Sequence, residues 1–432
     1  MAKRCKRCMT TRRGLALSLT ILFFMLILYF ATPDILEMFE MQLLDWRVRL
    51  RGPADPGNLV KLILVDTSSR KQFGMRGEFR LELANVINNL KADGARVIGL
   101  DLYFLAETGN GIGSQADEKL AEAVRNAGNL VIGYNWDFAL PDNRLATAEA
   151  IGRRQLLMAT RNVDEPGFTP ERVPQEARIA SQTITQHTAA VGFFTVIVDP
   201  NFYARKLPAA LSYKNNLYYP FSLAIVRTYL NQEGYGVRPN NEKNKLIGPQ
   251  FGEIQLHPDH LGYLWFNFYG STDAFETLRF DDVVKNGVPP GFANGSIVLI
   301  GVSGDDSGDL FATSFDTALP GVVLHATAVA NALSNGFLWR DNTVRAVEIV
   351  MMVLFALLMG LLLPRITPIL ALFIGPVLIA ILLYVSQYLL KNDAIWIHLL
   401  LPTSLILVLH LVIFSFRVQA AEHQAYLNDL EQ

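Results

Sequence analysis

Four charge-poor apolar stretches stand out along the chain, at residues 15–31, 344–363, 366–390 and 394–416. Each is close to the roughly 20 residues that a helix needs to cross the hydrocarbon of a bilayer. Arg345 and Glu348 fall in the first turn of the second stretch, where we expect both charges to sit at the membrane interface. The pattern predicts four transmembrane helices, a leader (1–14), a large intervening domain (32–343) and a tail (417–432).

Basic residues before the first span set the predicted orientation. Lys3, Arg4, Lys6, Arg7, Arg12 and Arg13 precede it without any acid, and such clusters stay in the cytoplasm. We therefore expect a bacterial inner-membrane protein with both termini in the cytoplasm and the large domain in the periplasm. The first span resembles a signal peptide, but bulky Tyr29 and Phe30 occupy the place of a small-residue cleavage site, which favours an uncleaved anchor.

Between the first two spans, helical periodicity gives way to alternating strands and helices. An amphipathic helix at 34–51 is followed by the breakers Gly52, Pro53 and Pro56. Beyond it, apolar runs alternate with helical patterns at short distances, which predicts a mostly parallel sheet with right-handed crossovers. The predicted strands include 60–65, 95–100, 129–133, 191–200 and 263–270, and the predicted helices include 117–126 and 319–337. The fold class is thus an α/β exported domain with four transmembrane helices, in which residues 137–190 form an insertion.

Composition removes several function classes. The only two cysteines, Cys5 and Cys8, lie in the leader, so the exported domain holds no disulfide and needs a core of its own. Their C-x-x-C spacing lacks the second cysteine pair of a zinc site, which favours two reduced thiols. With a net charge of −2 and no basic aromatic patch, the chain is not predicted to bind nucleic acid.

Acids and hydroxyls follow three of the predicted strands. Asp66, Thr67 and Ser68 come after the first, Asp101 ends the second, and Asp305, Asp306 and Asp309 follow a later one. Open α/β sheets bind ligands at the carboxyl ends of their strands, so one hypothesis is a ligand-binding rim that also includes His325, with a divalent cation as its one possible cofactor.

Two alternatives to a ligand rim stay open. Ser68 with His325 as its base would suggest a hydrolase, although no G-x-S-x-G elbow surrounds Ser68. Otherwise the acids cap helices or turns, and His325 is a core residue. The "HPDH" stretch at 257–260 has metal-like spacing but is more typical of a surface turn.

Seven short segments in order resemble a known family. They are "DWRVRLRG", "VKLILVDTSS", "GARVIGLDLYF", "NLVIG", "DDVVKNG", "GSIVLIGVS" and "ALPGVVLHATAVANAL", and they frame residues 45–335. Together they resemble the second type of CHASE domain, a sensory module in which three spans typically follow the domain. The resemblance implies a non-catalytic input domain that signals to a cytoplasmic adenylate or guanylate cyclase, histidine kinase or diguanylate cyclase, and it implies no particular ligand.

No such effector follows Phe416, so the resemblance leaves open whether the effector is a further domain or a separate protein. A structural or regulatory subunit of an envelope complex is the alternative function, and an exported hydrolase is a weaker one. We expect a homodimer whose helical tails pair, with lipids and an effector as further partners. The residues predicted to transmit the signal are Asp45, Trp46, Arg47 and Arg51 in a helix rising from span one, Trp339 before span two, and Arg417 at the start of the tail.

Overall fold

The computed structural model describes residues 11–74, 77–102, 112–138, 174–178, 182–199, 202–213, 216–231, 239–240, 245–246, 250–251, 254–259, 262–304 and 307–430. The helices are α1 (Thr11–Ala31), α2 (Asp34–Arg51), α3 (Thr67–Phe73), α4 (Gly77–Ala92), α5 (Ile112–Ala127), α6 (Gln182–Thr185), α7 (Phe221–Leu230), α8 (Phe280–Asn286), α9 (Gly321–Leu333), α10 (Asn342–Leu362), α11 (Pro368–Asp393) and α12 (Leu400–Leu430).

The longer strands are β1 (Val60–Val65), β2 (Val97–Asp101), β3 (Leu130–Phe138), β4 (Pro174–Arg178) and β5 (Ala190–Phe193). Shorter ones are β6 (Ile197–Val198), β7 (Ala204–Pro208), β8 (Leu211–Tyr213), β9 (Asn216–Tyr218), β10 (Pro239–Asn240), β11 (Lys245–Leu246), β12 (Gln250–Phe251), β13 (Ile254–Gln255) and β14 (Tyr263–Trp265). The last four are β15 (Glu276–Arg279), β16 (Ile297–Val302), β17 (Leu310–Phe311) and β18 (Leu319–Pro320).

The chain forms two compact units. Residues 52–339 make an α/β domain, and the residues up to Arg51 join those from Arg340 onwards in a helical membrane unit. Helix α2 therefore belongs to the unit that holds the spans. The domain predicted from the sequence, residues 32–343, had included it.

The α/β domain is built on a seven-stranded sheet in the order β15-β1-β16-β2-β3-β4, with β5 also pairing with β3. All pairs are parallel except β3 with β4. This confirms the predicted mostly parallel sheet. The predicted strand 191–200 is wrong in its extent, because β5 ends at Phe193 and β6 pairs instead with β7.

Two apolar layers cover the sheet, one on each face. Because successive side chains of a strand point to opposite faces, Leu62 and Leu64 of β1 pack with α7 and α9, while Ile63 and Val65 pack with α4 and α8. Gly192 lets β5 approach α7 closely, since a Cβ there would lie 2.6 Å from Cα of Phe221. Burial on both faces explains why these strands are nearly continuous apolar runs.

Four helices in the membrane unit are long and apolar enough to span a bilayer: Thr11–Ala31, Asn342–Leu362, Ile369–Asp393 and Leu400–Gln419. This confirms the predicted number of spans among the described residues. The predicted start of span four at Ala394 is wrong. Ala394 ends α11 in the left-handed conformation (φ 54°), and residues 395–399 form no helix before α12 begins.

Candidate functional site

Asp66 caps α3 at the carboxyl end of β1. Its Oδ1 accepts hydrogen bonds from the amide N of Ser69 (2.8 Å) and from the hydroxyls of Ser68 (2.7 Å) and Ser69 (2.9 Å). Arg279, the last residue of β15, lies 3.1 Å from Asp66 Oδ2 and donates to Ser68 Oγ at 2.7 Å. Asp66 therefore acts as a helix cap with a local ion pair.

The protonation of Asp66 follows from this arrangement. Burial alone would raise the pKa of Asp66, but the hydrogen bonds from Ser69 and Ser68 and the charge of Arg279 bring it below its usual value.

Thr67 accepts a long 3.4 Å bond from Arg70, whose guanidinium also donates to the carbonyl of Ser303.

Ser68 and His325 form no nucleophile–base pair among the described contacts. The partners of Ser68 Oγ are Asp66 and Arg279. The imidazole of His325 is buried in α9, with the rings of Phe194 and Phe221 at centroid distances of 5.8 and 5.3 Å. Burial lowers the pKa of His325 to about 3, so it is neutral at physiological pH. His325 is thus a core residue, the alternative that the sequence left open.

Asp66 and Asp101 do not lie on neighbouring strands. Strand β16 pairs with both β1 and β2 and separates them, which puts about 10 Å between the two strands at the usual spacing of about 4.8 Å. A rim shared by Asp66 and Asp101 would require adjacent strands, and these two strands are not adjacent. No local pattern indicated that β16, remote along the chain, inserts between the first two strands.

Asp101 lies instead within electrostatic reach of Asp309. Asp101 ends β2 beside Gly301 of β16, and its buried Oδ2 accepts no hydrogen bond from the residues that the structure describes. Burial, and then the charge of Asp309, raises the pKa of Asp101 well above its usual value, and burial also raises the pKa of Asp309. Gly321 leaves room for this second carboxyl group, because a Cβ there would lie 2.2 Å from Asp309 Oδ2.

The predicted rim residues Asp305 and Asp306 lie outside the described residues. Within the described part of the chain, no three His, Cys, Asp or Glu side chains are grouped so that they could hold a metal. In the "HPDH" stretch, Asp259 accepts bonds from the amide of Tyr263 (2.9 Å) and the indole of Trp265 (2.8 Å), as expected of a turn.

The membrane unit holds a second polar cluster, centred on Glu348. This glutamate lies near the start of α10 and is fully buried by neighbouring protein. Its carboxylate accepts bonds from Tyr29 Oη (2.5 Å), from Arg340 Nε (2.8 Å) and Nη2 (2.5 Å), and from the amide N of His398 (2.8 Å). Glu348 thereby links α1, the segment entering α10, and the loop before α12.

Glu40 and Arg47 attach α2 to the same loop. Glu40 accepts from the amides of Leu399 (3.0 Å) and Leu400 (2.8 Å). Arg47, 1% exposed, donates to the carbonyls of Ile397 (2.8 Å) and Ser386 (2.9 Å). Burial lowers the pKa of Arg47 to about 10, so the guanidinium stays charged at neutral pH.

These contacts meet at the amino end of α12. The amides of residues 398–400 precede or open this helix, and amides at a helix start have no partner within the helix. Two carboxylates accept from them. Glu40 of α2 accepts from Leu399 and Leu400, and Glu348 of α10, which is itself bonded to Arg340 in the segment entering α10, accepts from His398. Negative charge is also favourable at this end of the helix dipole. The last span is therefore held by both connections to the α/β domain.

The predicted transmission residues have different environments. Asp45 is buried and Trp46 is 51% exposed, while Arg51 and Trp339 are half-buried. The ring of Trp339 lies 6.0 Å from that of His257. Arg417 donates to the carbonyl of Ile366 at 2.5 Å, which joins α12 to the turn before α11.

The polar cluster formed by Glu40, Glu348 and Arg340 was not predicted from the sequence. A signal was present, because ionisable residues within or beside spans are costly and are usually paired. Their pairing could not be read from the sequence, since Glu40 and Leu400 are 360 residues apart along the chain.

Comparison with known proteins agrees with this architecture. A family model described as the CHASE2 domain matches residues 19–362, which is most of the chain. No curated protein and no solved structure matches it. The match includes both α2 and the segment around Glu348, so the polar cluster falls largely within the family region. The chain belongs to the CHASE2 domain family of extracellular sensory domains.

Proposed function

We propose that this membrane protein is a receptor that detects an extracytoplasmic signal and passes it through α12 to a cytoplasmic effector. The observation that carries the proposal is the meeting of Glu40 and Glu348 at the first amides of α12. The α/β domain is covalently continuous with both connecting segments, at Arg51 and at Arg340. A rearrangement of the domain that moves either segment would therefore act on the last span.

The length of α12 suits this role. Its 31 residues extend about 46 Å at 1.5 Å per residue, while the hydrocarbon core is about 30 Å thick. The helix therefore has turns to spare beyond the membrane. Such a continuous helix can carry a displacement of its outer end to residues past Arg417, provided that the signal favours one of two arrangements.

The proposal includes the orientation and the assembly predicted from the sequence. The basic leader supports a bacterial inner-membrane location with the domain in the periplasm and both termini in the cytoplasm. Reporter fusions at Asn110 and Asn241 should be exposed outside the cell, and one at Gln432 inside. A cytoplasmic signal from the Asn110 fusion would contradict this orientation.

Disulfide crosslinking tests the route. Single cysteines along residues 418–430, in a full-length C5S/C8S background, are crosslinked in membranes. In a homodimer of paired tails, crosslinks recur every three to four residues. E40Q replaces a carboxylate at the amino end of α12 and should change the crosslinking profile, whereas the control E37Q, one turn earlier in α2, should not. Equal profiles for E40Q and the parent would refute this route, and absence of all crosslinks would refute the dimer.

A further inference from the structure

Helix α2 has an unusual distribution of side chains. Three of its seven charged residues, Glu40, Asp45 and Arg47, are buried. Four large apolar side chains are exposed instead: Ile35 (60%), Phe39 (45%), Trp46 (51%) and Leu50 (59%). Their spacings of four, seven and four residues place them on one side of the helix. A helix in water would have the opposite arrangement, since exposed apolar surface is unfavourable.

The polar side of α2 is occupied by the outer ends of two spans. Glu40 binds amides at the start of α12, and Arg47 binds the carbonyl of Ser386 in α11. The carbonyl of Arg47 in turn accepts from the side chain of Gln387 at 3.0 Å. The rise from Glu40 to Arg47 is about 10 Å, close to the 8–10 Å between packed helices. Helix α2 thus crosses from the end of α12 to the end of α11. The helix predicted from the sequence was instead one that rises away from span one.

The depth of these contacts places α2 at the membrane. Ser386 lies seven residues before the end of α11 at Asp393, which corresponds to about 10 Å along the helix axis. At its other end, α2 begins three residues after the last residue of α1. Helix α1 likewise exposes large apolar side chains, among them Phe23 (61%) and Phe30 (69%).

We propose that α2 is an interfacial helix whose exposed apolar face is buried in phospholipid. Ile35, Phe39 and Leu50 would contact the upper acyl chains in the leaflet at that end of the spans, as apolar faces of interfacial helices do. Trp46 would lie at the level of the head groups, where indoles are enriched. The bilayer, and not a second protein surface, is then the partner of this face. This inference rests on the geometry of the membrane unit and does not require the receptor function.

Nitroxide accessibility distinguishes the possible coverings of this face. Single spin labels at positions 35, 39, 46 and 50 are placed in full-length C5S/C8S protein in phosphatidylcholine–phosphatidylglycerol vesicles. Exposed Ile381 on α11 is the lipid reference, exposed Glu118 on α5 the water reference, and buried Val48 on α2 the protein reference. Collision rates are measured with oxygen, which concentrates in lipid, and with a water-soluble nickel chelate.

The expected result is an oxygen-to-nickel ratio well above that of Glu118 at all four positions. The ratios at positions 35, 39 and 50 should approach that of Ile381, and the ratio at position 46, at head-group level, should lie between the two references. Nickel accessibility like that at Glu118 would show that the face is in water and would overturn the proposal. Low accessibility to both reagents, as at Val48, would show that protein covers the face and would overturn it equally. As a second measurement, phosphatidylcholine brominated near the head group should quench the intrinsic fluorescence. W46F should lose part of that quenching and W265F, buried in the α/β domain, should not; equal quenching in W46F and the parent would also refute the proposal.

Discussion

The carboxylate of Glu348 should be the most costly polar group to remove from the membrane unit. In E348L, the buried guanidinium of Arg340 loses its partner, and Tyr29 Oη and the amide of His398 lose their acceptor. Breaking a buried ion pair by removing one partner costs about 3–5 kcal/mol in soluble proteins. Hydrogen bonds inside membrane proteins are weaker on average, since the unfolded chain also finds partners.

We therefore expect E348L to lower the free energy of unfolding by about 3 kcal/mol, the lower end of that range, which is roughly a hundredfold change in the unfolding constant. R340L should cost less, because the carboxylate of Glu348 keeps the hydrogen bonds from Tyr29 Oη and from the amide of His398. The double variant R340L/E348L leaves no unpaired charge. Its cost should be smaller than the sum of the two single costs by up to about 3 kcal/mol, as for residues in direct contact.

Reversible unfolding of the full-length chain in mixed detergent–SDS micelles, followed by far-UV circular dichroism, measures these costs. R365L, in which an exposed arginine of the α10–α11 turn is replaced, should stay within about 0.5 kcal/mol of the parent. A loss below about 1 kcal/mol in E348L, the size of one ordinary hydrogen bond, would refute the reasoning. Strictly additive single and double variants would refute it as well.

Three further predictions concern the α/β domain, each measured by thermal unfolding of the full-length protein. Because the pKa of Asp101 is raised, the folded domain binds a proton more tightly than the unfolded chain does. Stability should therefore fall as the pH rises from about 4 towards the folded-state pKa. D101N should make stability depend less steeply on pH, and an unchanged pH dependence would contradict the raised pKa of Asp101. D66A should cost about 1 kcal/mol by removing the cap of α3, whereas D66N, which can still cap, should cost less; equal losses would argue against capping. G192A should lower the free energy of unfolding by about 1–3 kcal/mol, because the added Cβ would meet the backbone of Phe221 and the core must shift. A neutral effect would show that β5 can move away from α7.

Local pattern determined much of the architecture. Apolar runs of sufficient length predicted the four spans, because the thickness of a bilayer fixes the length of an apolar helix. The alternation of short apolar strands with helical patterns predicted the parallel sheet, since parallel neighbours require crossover connections. The suggestion that the acids after the strands cap helices or turns applies to Asp66, whose side chain bonds to an amide only three residues away.

Tertiary structure decided which residues meet. The insertion of β16 between β1 and β2 separated Asp66 from Asp101 and brought Asp101 to Asp309, a pairing that no local pattern encodes. Likewise, the amphipathic pattern of α2 indicated a helix but not which of its sides is buried. Glu40 and Arg47 are buried together with apolar residues such as Leu44. The amides that open α12 have no partner within the helix and bind Glu40, since backbone polar groups at membrane depth must be satisfied within the protein.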